Sequence, residues 1–592
     1  MAGIPDIKGN VLLPLYHAMA KTDISIVIDA NGKFCRATAD TLSICVPCTE
    51  NSAGRGGVEI EPHPLHDQIG YLVNDNEKRA VYLARIEAWS GCHPKVRAVY
   101  EYVKGGTMAD DLERSGQKIS DAELKLFVRF SVQADDLCHN LWEDTSVAKA
   151  WENYCTGSHV KGNLLCYVSG KYATPAVKHP RGINMSTYGA KLISCNDMTN
   201  YTFRGRFIEP AQANTISMEA SQKAHAMLKY LIASHGYKCD TQAVVAWAID
   251  NGDAQLAPFA GTDQFADIYS AVKKIESDTG IESQSKLYTD YAKDLRTALA
   301  GMGNAKILSP KSDSRRVAVM AMDAATTGRM GITFYQDLLQ NDYVERVLTW
   351  HESCNWWFYN GKHDYISAPS ADRIIAAVYG EPKGDGYKKI QKQARERLLH
   401  HIVCGQPLDL SWIMAAVNNV SRPMAFEKQS GTWEKGIWKD NGSWEKALSV
   451  TCALVRKYYS QKKEGFSLEL DKTCTDRGYL FGRLLAIADK LEGHARYLQE
   501  GKTSHTDRPT NAVRYMTTFS SKPLRTWALI FNQLNPYIQR LNGAEWYQQQ
   551  IDEIMSLFKP NELDDRPLDG RYLLGYSLQR RALTKNREDT NK

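Results

Sequence analysis

The sequence predicts an α+β protein, with a mixed α/β domain over residues 1–380 and an all-α helical bundle over residues 381–592. An Asn31-Gly32 turn separates two strand-like segments, because Asn-Gly supplies the positive φ angles that a tight hairpin needs. The segment EPKGDGYKK at 381–389 indicates a hinge, and apolar residues recur at helical spacing after it.

The first domain is predicted to mix short helices and strands. Residues 24–29 and 34–38 form the predicted hairpin, preceded by a helix over 11–22. Gly, Ser, Pro and Glu dominate residues 47–64, which indicates a long exposed loop of the kind that often carries function. The remaining predictions are strands at 71–73, 164–168, 191–195, 202–207, 244–249, 318–322 and 332–336, and a helix at 215–234.

Helical periodicity dominates the second domain. Asp476 can cap a helix N-terminus. In the residues that follow it, apolar side chains recur at helical spacing: Leu480, Leu484, Ile487 and Leu491. Helices are also predicted over 388–403, 410–420 and 444–460. Prolines at 523, 536 and 560 separate further helices, so the C-terminal region is predicted to form an antiparallel bundle.

Length and composition limit the class of protein. The 592 residues exceed the ~300 at which one hydrophobic core stops growing, so at least two domains are expected. No apolar run approaches the ~18 residues that span a bilayer, and residues 1–10 lack a signal-peptide core, which predicts a soluble, cytoplasmic protein; the resemblance described below implies a prokaryotic one. The 13 cysteines are expected to be reduced. A net charge of +5 supports nucleic-acid binding only if the charge gathers on one face.

Catalytic motifs are scarce, and the sequence predicts neither a catalytic residue nor a cofactor. A P-loop, a His-Glu-x-x-His motif and a Gly-x-Ser-x-Gly elbow are all missing from the sequence. The pairs His66-Asp67 and His363-Asp364 leave open a metal-dependent nuclease or phosphohydrolase as the alternative function. Cys45, Cys48, His63 and His66 resemble a zinc ligand set, but the short His-x-x-His spacing favours unrelated residues in a loop, so no metal is predicted.

Basic residues cluster beside predicted strands and along the bundle, where they can neutralise phosphates without regard to sequence. The strand-associated residues are Lys178, Arg181, Arg204 and Arg206, and the bundle residues are Arg514, Lys522 and Arg525. For any one of these clusters, a solvated surface is the ordinary explanation. Asn74 and Asn76 lie on a predicted turn, where a carboxamide can pair with base edges or simply stabilise the turn.

Six blocks, in order along the chain, resemble the large subunit of the type I-C CRISPR Cascade complex. The first three are LYHAMAKTDISIVIDANGKF, VPCTENSAGRGGVEIEPHPLHDQIGYLVNDNEKRAVYL and CYVSGKYATPAVKHPRGINMSTYGAKLISCNDMTNYTFRGRF. The last three are TGRMGITFYQDLL, DRGYLFGRLLAIADKLEGHA and YLLGYSLQRRAL. Together they extend from about residue 11 to residue 583, and their order and spacing make the resemblance specific.

This resemblance implies a subunit of a crRNA-guided complex that binds DNA without cutting it. The N-terminal domain would recognise the protospacer-adjacent motif in duplex DNA, promote strand opening and R-loop formation, and recruit the helicase-nuclease. The C-terminal bundle would resemble the Cascade small subunit, a separate copy of which is translated from the same gene; Met414 and Met424 are candidate starts. The implied partners are the crRNA-bound backbone, the other Cascade subunits, the small subunit, the target duplex and the helicase-nuclease.

Within this framework, the sequence predicts three groups of DNA contacts. Near the motif duplex we expect Arg55, Asn74, Asn76 and Lys78. On nearby phosphates we expect Lys178, Arg181, Arg204 and Arg206, and on single-stranded target we expect Arg514, Lys522 and Arg525. A scaffold that binds only protein remains a competing function, and a steep loss of DNA affinity with salt would argue against it.

Overall fold

The computed structural model describes residues 12–55, 59–157, 164–194, 207–208, 215–249, 259, 316–359, 364–380, 384–426, 432–434, 437–439, 443–499 and 509–590. The chain divides into two compact units. Unit 1 comprises Met1–Val245 and Ala321–Thr333, and unit 2 comprises Ala246–Met320 and Phe334–Lys592. None of the described helices combines the length and apolar character needed to cross a bilayer.

Unit 1 begins with a four-stranded sheet. Its strands are β1 (His17–Asp29), β2 (Phe34–Pro47), β3 (Asp67–Gln68) and β4 (Phe127–Gln133), in the order β2-β1-β4-β3. β1 and β2 form an antiparallel hairpin, whereas β1 and β4 run parallel. Alternate residues of β1 and β4 face the core, and these include Ile24, Ile26, Ile28, Val128, Phe130 and Val132.

The predicted hairpin is confirmed, and its turn is held by Asp29. The Asp29 carboxylate accepts hydrogen bonds from the backbone N–H groups of Asn31 at 2.9 Å and Lys33 at 2.8 Å. Gly32 has a φ of 81°, and a Cβ there would lie 2.7 Å from the carbonyl oxygen of Ala98. A glycine is therefore required both by the backbone conformation and by the helix that packs over the turn.

The predicted helix over 11–22 is wrong, because β1 already begins at His17. Residues Ala18 to Thr22 pair with Val46 to Leu42 of β2, so distant pairing partners override the local helical preference. The predicted strand at 71–73 is also wrong: Tyr71 and Leu72 end a helical turn, α1 (Ile69–Leu72). A three-residue apolar run that is buried on all sides has no periodicity to separate strand from helix.

Helices cover the sheet. They are α2 (Glu77–Ser90), α3 (Pro94–Gly105), α4 (Met108–Arg114) and, after β4, α5 (Thr145–Thr156). Tyr82 and Trp89 of α2 and Val99 of α3 belong to the same buried cluster as the sheet residues. Trp89 and Trp151 meet with ring centroids 5.0 Å apart, so α2 and α5 share this core.

A small hairpin and a second sheet follow. The hairpin joins β5 (Leu164–Leu165) and β6 (Tyr172–Ala173), so the strand predicted at 164–168 is shorter than expected. After α6 (Met218–His235), the sheet has the order β10-β9-β8-β7, and the division between units passes through its strands. The strands are β7 (Tyr237–Cys239), β8 (Gln242–Ala248), β9 (Arg316–Thr326) and β10 (Arg329–Leu339), which confirm those predicted at 244–249, 318–322 and 332–336.

The strand predicted at 191–195 is wrong in its described part, where Lys191 forms only an isolated bridge with Arg329. Residue 195 and residues 202–206 of the strand predicted at 202–207 lie outside the described residues. Within the described residues, Lys191 donates to the carbonyl oxygen of Gly328 at 3.1 Å and accepts from the backbone N–H of Met330 at 3.0 Å, and residues 192–194 are not part of a strand.

Unit 2 is mostly helical, and besides its share of the second sheet its described part contains two short antiparallel strand pairs. Its strands are β11 (Trp356–Tyr359), β12 (Asp364–Ser367), β13 (Thr432–Glu434) and β14 (Ile437–Lys439). The helices of its first half are α7 (Gln340–Ser353), α8 (Ala371–Tyr379), α9 (Asp385–Ile402) and α10 (Leu410–Val420). Those of its second half are α11 (Ser443–Gln461), α12 (Arg477–Gln499), α13 (Asn511–Ser521), α14 (Pro523–Arg540), α15 (Ala544–Ser556) and α16 (Arg571–Thr590).

The predicted helices and cap of the C-terminal region are confirmed. Asp476 accepts a hydrogen bond from the backbone N–H of Tyr479 at 2.9 Å, and α12 follows with Leu480 and Leu484 fully buried. α12 packs against α13, α14, α15 and α16 and so forms the centre of the bundle. The boundary at 380/381 stays a prediction; α8, just before it, packs against α10 and α11 within unit 2.

Candidate nucleic-acid interface

Arg55, predicted to contact DNA, lies in a loop after β2 and is engaged with a buried carboxylate. Its guanidinium forms a two-point ion pair with Asp67, whose side chain is fully buried, and also donates to the carbonyl oxygen of Glu61 at 3.0 Å. Asp67 further accepts from the backbone N–H of His63 at 2.7 Å. Arg55 therefore fixes the loop, and its role as a DNA contact stays a prediction.

Tyr71 connects Arg55 to the predicted turn. The Arg55 guanidinium carbon lies 4.4 Å from the centroid of the Tyr71 ring, and the Lys78 ammonium lies 5.5 Å from it. Two cations thus share one aromatic ring, which attracts both through its quadrupole. Lys78 is exposed at the start of α2, so its ammonium remains accessible to a phosphate.

The two predicted asparagines occupy different positions on this turn. Asn74 is exposed and has a φ of 66°, in the left-handed region that asparagine tolerates better than most residues. Asn76 is the N-cap of α2, and its side-chain oxygen accepts from the backbone N–H of Arg79 at 2.9 Å. The Asn74 carboxamide is therefore exposed to solvent, whereas the oxygen of the Asn76 carboxamide is hydrogen-bonded to the first turn of α2. We call residues 74–78 the Asn74 turn.

Lys178 lies against the same loop that holds Arg55. Its backbone N–H donates to Glu50 at 3.1 Å, and its ammonium lies 3.4 Å from a Glu59 oxygen. The Tyr188 hydroxyl donates to the carbonyl oxygen of Ala53 at 3.1 Å. We call the described residues of 49–61 the bridging loop. It contacts the segment that carries Lys178, and it contacts Tyr71, whose ring Lys78 of the Asn74 turn also approaches.

Lys191, which is not among the contacts predicted from the sequence, lies near Lys178 and the predicted Arg181. Burial lowers the pKa of Lys191, and the nearby charges of Arg181 and Lys178 lower it further. The same surroundings raise the pKa of Glu50, again through burial. Lys178, Arg181 and Lys191 therefore form one group, which we call the basic cluster.

The segment that carries the basic cluster contains no acidic residue. Residues 153–196 include five Lys or Arg residues and no Asp or Glu. Such a stretch favours a locally positive surface despite the modest net charge of the chain, although Glu50 and Glu59 of the bridging loop lie against Lys178. This is the sequence signal that would have pointed to Lys191. Arg204 and Arg206, also predicted here, lie outside the described residues.

The predicted residues of the bundle lie on α13 and α14. Both helices pack on α12 through apolar residues, among them Met516, Phe519, Trp527 and Ile530. Arg514, Lys522 and Arg525 are all exposed, and Lys522 lies at the junction of the two helices. They share one helical hairpin, and their contact with single-stranded DNA stays a prediction.

This helical hairpin is also free of acidic residues in sequence, since residues 508–544 contain five arginines or lysines and no Asp or Glu. Arg525 remains 75% exposed and approaches Asp565 at 3.6 Å, a carboxylate that also accepts the Arg525 backbone N–H. Within the described part of the chain, Arg514 and Lys522 have no carboxylate partner. Two of the three predicted cations are therefore available to an external anion.

The Cys and His residues of the N-terminal loop do not have the character of metal ligands. Burial raises the pKa of the Cys45 and Cys48 thiols to about 12, as for cysteines that pack as small apolar residues. His66 is fully buried, and its Nδ1 accepts from the backbone N–H of Phe130 at 3.2 Å. No group of three or more His, Cys, Asp or Glu residues that could hold a metal occurs among the residues described.

Of the two His-Asp pairs, only His66-Asp67 lies wholly within the described residues. His66 packs against Phe130 and Trp142, and Asp67 is bound by Arg55, so this pair is part of the unit 1 core. His363 lies outside the described residues, while Asp364 forms an ion pair with Arg581. The described partners of both aspartates are arginines, which is typical of structural ion pairs.

Comparison with known proteins agrees with the resemblance of the six sequence blocks. No curated protein matches the chain at a significant level. The family described as "CRISPR-associated protein (Cas_Csd1)" matches it over residues 5–584, which is nearly its whole length. The chain therefore belongs to this family, that of the type I-C Cascade large subunit.

Proposed function

We propose that unit 1 recognises the protospacer-adjacent motif in duplex DNA and begins strand opening. One observation carries this proposal: the bridging loop contacts both the segment of the basic cluster and Tyr71, the ring that Lys78 of the Asn74 turn also approaches. Protein contacts to phosphate position a duplex, whereas contacts to base edges specify its sequence. The Asn74 turn supplies a group for base edges, and the basic cluster supplies phosphate contacts.

The charge distribution supports this division of roles. Asp75 and Glu77 are exposed beside Asn74 and would repel phosphates, so the tip of the turn suits a groove better than the DNA backbone. The phosphate contacts come instead from the acid-free segment 153–196. Because guide pairing supplies most of the sequence specificity in such complexes, a short protein-read motif is sufficient.

The helical hairpin α13–α14 is proposed to bind the separated single strand. Its exposed Arg514 and Lys522 belong to a stretch of sequence, residues 508–544, that contains no Asp or Glu. Such a stretch suits sequence-independent contact with the phosphates of a single strand. We further propose that the protein is non-catalytic and recruits the helicase-nuclease for cleavage. The described environments of His66, Asp67 and Asp364, which are core packing and arginine pairing, support that part of the proposal.

Binding of the reconstituted crRNA complex to DNA tests the motif-recognition function. Targets with and without the flanking motif are compared by electrophoretic mobility shift at several salt concentrations. We expect motif-dependent binding whose affinity falls steeply with salt, since phosphate neutralisation releases counterions. Equal binding of both targets would refute motif recognition, and salt-independent association would favour a protein scaffold. Metal-dependent cleavage by the isolated chain that disappears in His363→Ala would favour the nuclease alternative.

The separately translated small subunit is proposed to begin at Met414 rather than Met424. A start at Met414 keeps Val420, whose carbonyl accepts from the buried Trp444 indole N–H at 2.8 Å. It also keeps Ser421, whose hydroxyl is bonded to the buried hydroxyl of Tyr572. A start at Met424 removes both partners and leaves two buried polar groups unsatisfied, which costs about 1–3 kcal/mol each.

Mass spectrometry of the purified complex tests this start. We expect a copurifying fragment with Met414 at its N-terminus, which disappears when Met414 is changed to Ile. The matched control is Met424→Ile, which should leave the fragment unchanged. A fragment that begins at Met424, or the absence of any C-terminal fragment, would refute the proposal.

A further inference from the structure

The hairpin of β5 and β6, residues Leu164–Ala173, exposes an unusual amount of apolar surface. Leu165 pairs with Tyr172 across the two strands. Tyr167 is 58% exposed, Val168 is 68% exposed and Tyr172 is 70% exposed. Contiguous exposed apolar surface on a globular protein usually marks an interaction site. This surface lies outside the residues so far assigned to DNA.

The base of the hairpin is anchored firmly. Cys166 is fully buried, and its sulfur accepts a hydrogen bond from the backbone N–H of Ser217 at 3.2 Å. The backbone N–H of Tyr167 donates to the carbonyl oxygen of Thr215 at 2.9 Å, and that of Ala176 donates to Ile216 at 2.8 Å. The hairpin is thus attached to the segment leading into α6, which holds its exposed residues in a defined place.

The tip of the hairpin is a short closed loop. The backbone N–H of Gly170 donates to the carbonyl oxygen of Cys166 at 2.8 Å, and that of Cys166 donates to Lys171 at 2.9 Å. Gly170 has a φ of 66°, which a glycine adopts without strain. This closure places the exposed Lys171 next to Tyr172 and across from Cys166, which the exposed Tyr167 and Val168 follow in sequence.

Charge distinguishes between nucleic acid and protein as the partner. The hairpin lies within residues 153–196, which have five Lys or Arg residues and no acidic residue. Sites for single-stranded nucleic acid combine aromatic side chains, on which bases stack, with cations that follow the phosphates. Two exposed tyrosines beside a lysine, in a segment without acidic residues, match that combination. The positive charge of the segment is complementary to the negative charge of a single strand of nucleic acid.

We propose that this hairpin binds unpaired bases of the opened target DNA. Tyr167 and Tyr172 stack on bases, Val168 covers an adjacent base face, and Lys171 contacts a neighbouring phosphate. The inference rests on the proposed function, because it requires a target whose strands have separated. It adds a base-stacking surface in unit 1 to the phosphate contacts of the basic cluster.

The test uses the guide-loaded complex and a motif-containing target with a mismatched bubble beside the motif. The double variant Tyr167→Ala/Tyr172→Ala should bind this target about tenfold more weakly, since each stacked base contributes substantially to affinity. The conservative double variant Tyr167→Phe/Tyr172→Phe keeps both ring faces and should bind normally. Leu137→Ala is the control, because Leu137 is a still more exposed apolar residue elsewhere in unit 1.

A second readout locates the contact directly. Unpaired 5-bromouracil in the bubble should photocrosslink to a peptide that contains residues 164–173 in the wild-type complex. Unchanged affinity of the alanine variant together with no crosslink would overturn the inference, as would failure of that variant to assemble, which would assign the hairpin to a protein contact. Failure of the proposed function is distinct, since the wild-type complex would then bind bubble targets with and without the motif equally.

Discussion

Gly482 of α12 and Gly575 of α16 form a reciprocal contact at the centre of the bundle. A Cβ at Gly482 would collide with the carbonyl oxygen of Tyr572, and one at Gly575 would collide with that of Tyr479. Both glycines lack the atom that would keep the two helix backbones apart. The close approach buries the aromatic rings of Tyr479, Tyr572 and Tyr576 around the contact.

Gly482→Ala is therefore expected to destabilise unit 2 strongly. The added methyl group must separate two helices that are packed along their length, and such overpacking costs about 2 kcal/mol or more. The measurement is chemical denaturation followed by circular dichroism. Gly465→Ala is the control, because a Cβ at that position meets nothing within 4 Å. Equal stability of the two variants would show that α12 and α16 can separate without cost.

Arg55→Ala is expected to destabilise unit 1 by about 3 kcal/mol, because it leaves the buried Asp67 carboxylate without its cation. Adding Asp67→Asn removes the uncompensated charge and should recover part of the loss. Thermal unfolding of the single and double variants checks this. If motif binding recovers together with stability in the double variant, Arg55 acts by positioning the bridging loop. If binding stays weak although stability recovers, Arg55 contacts the DNA directly.

Substitutions of Asn74 and Asn76 can separate base recognition from helix capping. Asn74→Gly keeps the left-handed backbone and removes the carboxamide, so motif selectivity should fall about tenfold while the melting temperature is unchanged. The measurement is competition binding between targets with and without the motif. Unchanged selectivity would remove Asn74 from the recognition site.

At Asn76, alanine and serine should have different effects. Asn76→Ala removes the cap of α2 and costs about 1 kcal/mol, whereas Asn76→Ser can still accept from the Arg79 N–H. Thermal melts of both variants measure the capping contribution, and the serine variant then reports on DNA binding alone. A serine variant as unstable as the alanine variant would contradict the capping assignment.

Unit 1 is expected to lose stability as the pH falls below about 6.5. Burial lowers the pKa of His63 to about 4 and that of His66 to about 3, so both stay neutral in the folded protein. In the unfolded chain they take up protons near pH 6.5, so acid favours unfolding between pH 6.5 and 4, by about 1.4 kcal/mol per pH unit for each histidine.

Denaturant unfolding at a series of pH values measures this dependence. His66→Asn removes one titrating group while leaving an oxygen that can accept from the Phe130 N–H, so the slope against pH should decrease whatever the absolute stability. A slope identical to that of the wild type would show that His66 is protonated in the folded state.

Much of the fold followed from local patterns. The Asn31-Gly32 hairpin and the Asp476 cap depend on residues close together in sequence, and both are present. Helix 410–420 was bounded correctly because its apolar face and its flanking residues agree. Errors arose where distant contacts decided, as in residues 17–22, which pair with β2, and in residues 71–73, which are buried as a helical turn.

The candidate site was predictable in its residue types more than in its arrangement. Asn74, Lys178 and Arg181 were selected from turn chemistry and basic clusters, but the contacts of Lys178 with Glu50 and Glu59 of the bridging loop appear only in the structure. Lys191 was missed, since only the folded chain brings it beside Arg181. The burial of Asp67, which occupies Arg55, also has no local sequence signal.

By itself, the sequence determined the fold class, the helical C-terminal region and the family. These depend on periodicity, turn residues and the order of characteristic blocks, all of which are properties of the chain read in one dimension. Only the tertiary structure decided which cations are engaged by carboxylates and which are exposed, and which apolar residues remain at the surface. Those properties arise from contacts between segments far apart in sequence, such as Arg55 with Asp67 and the β5–β6 hairpin with the segment before α6.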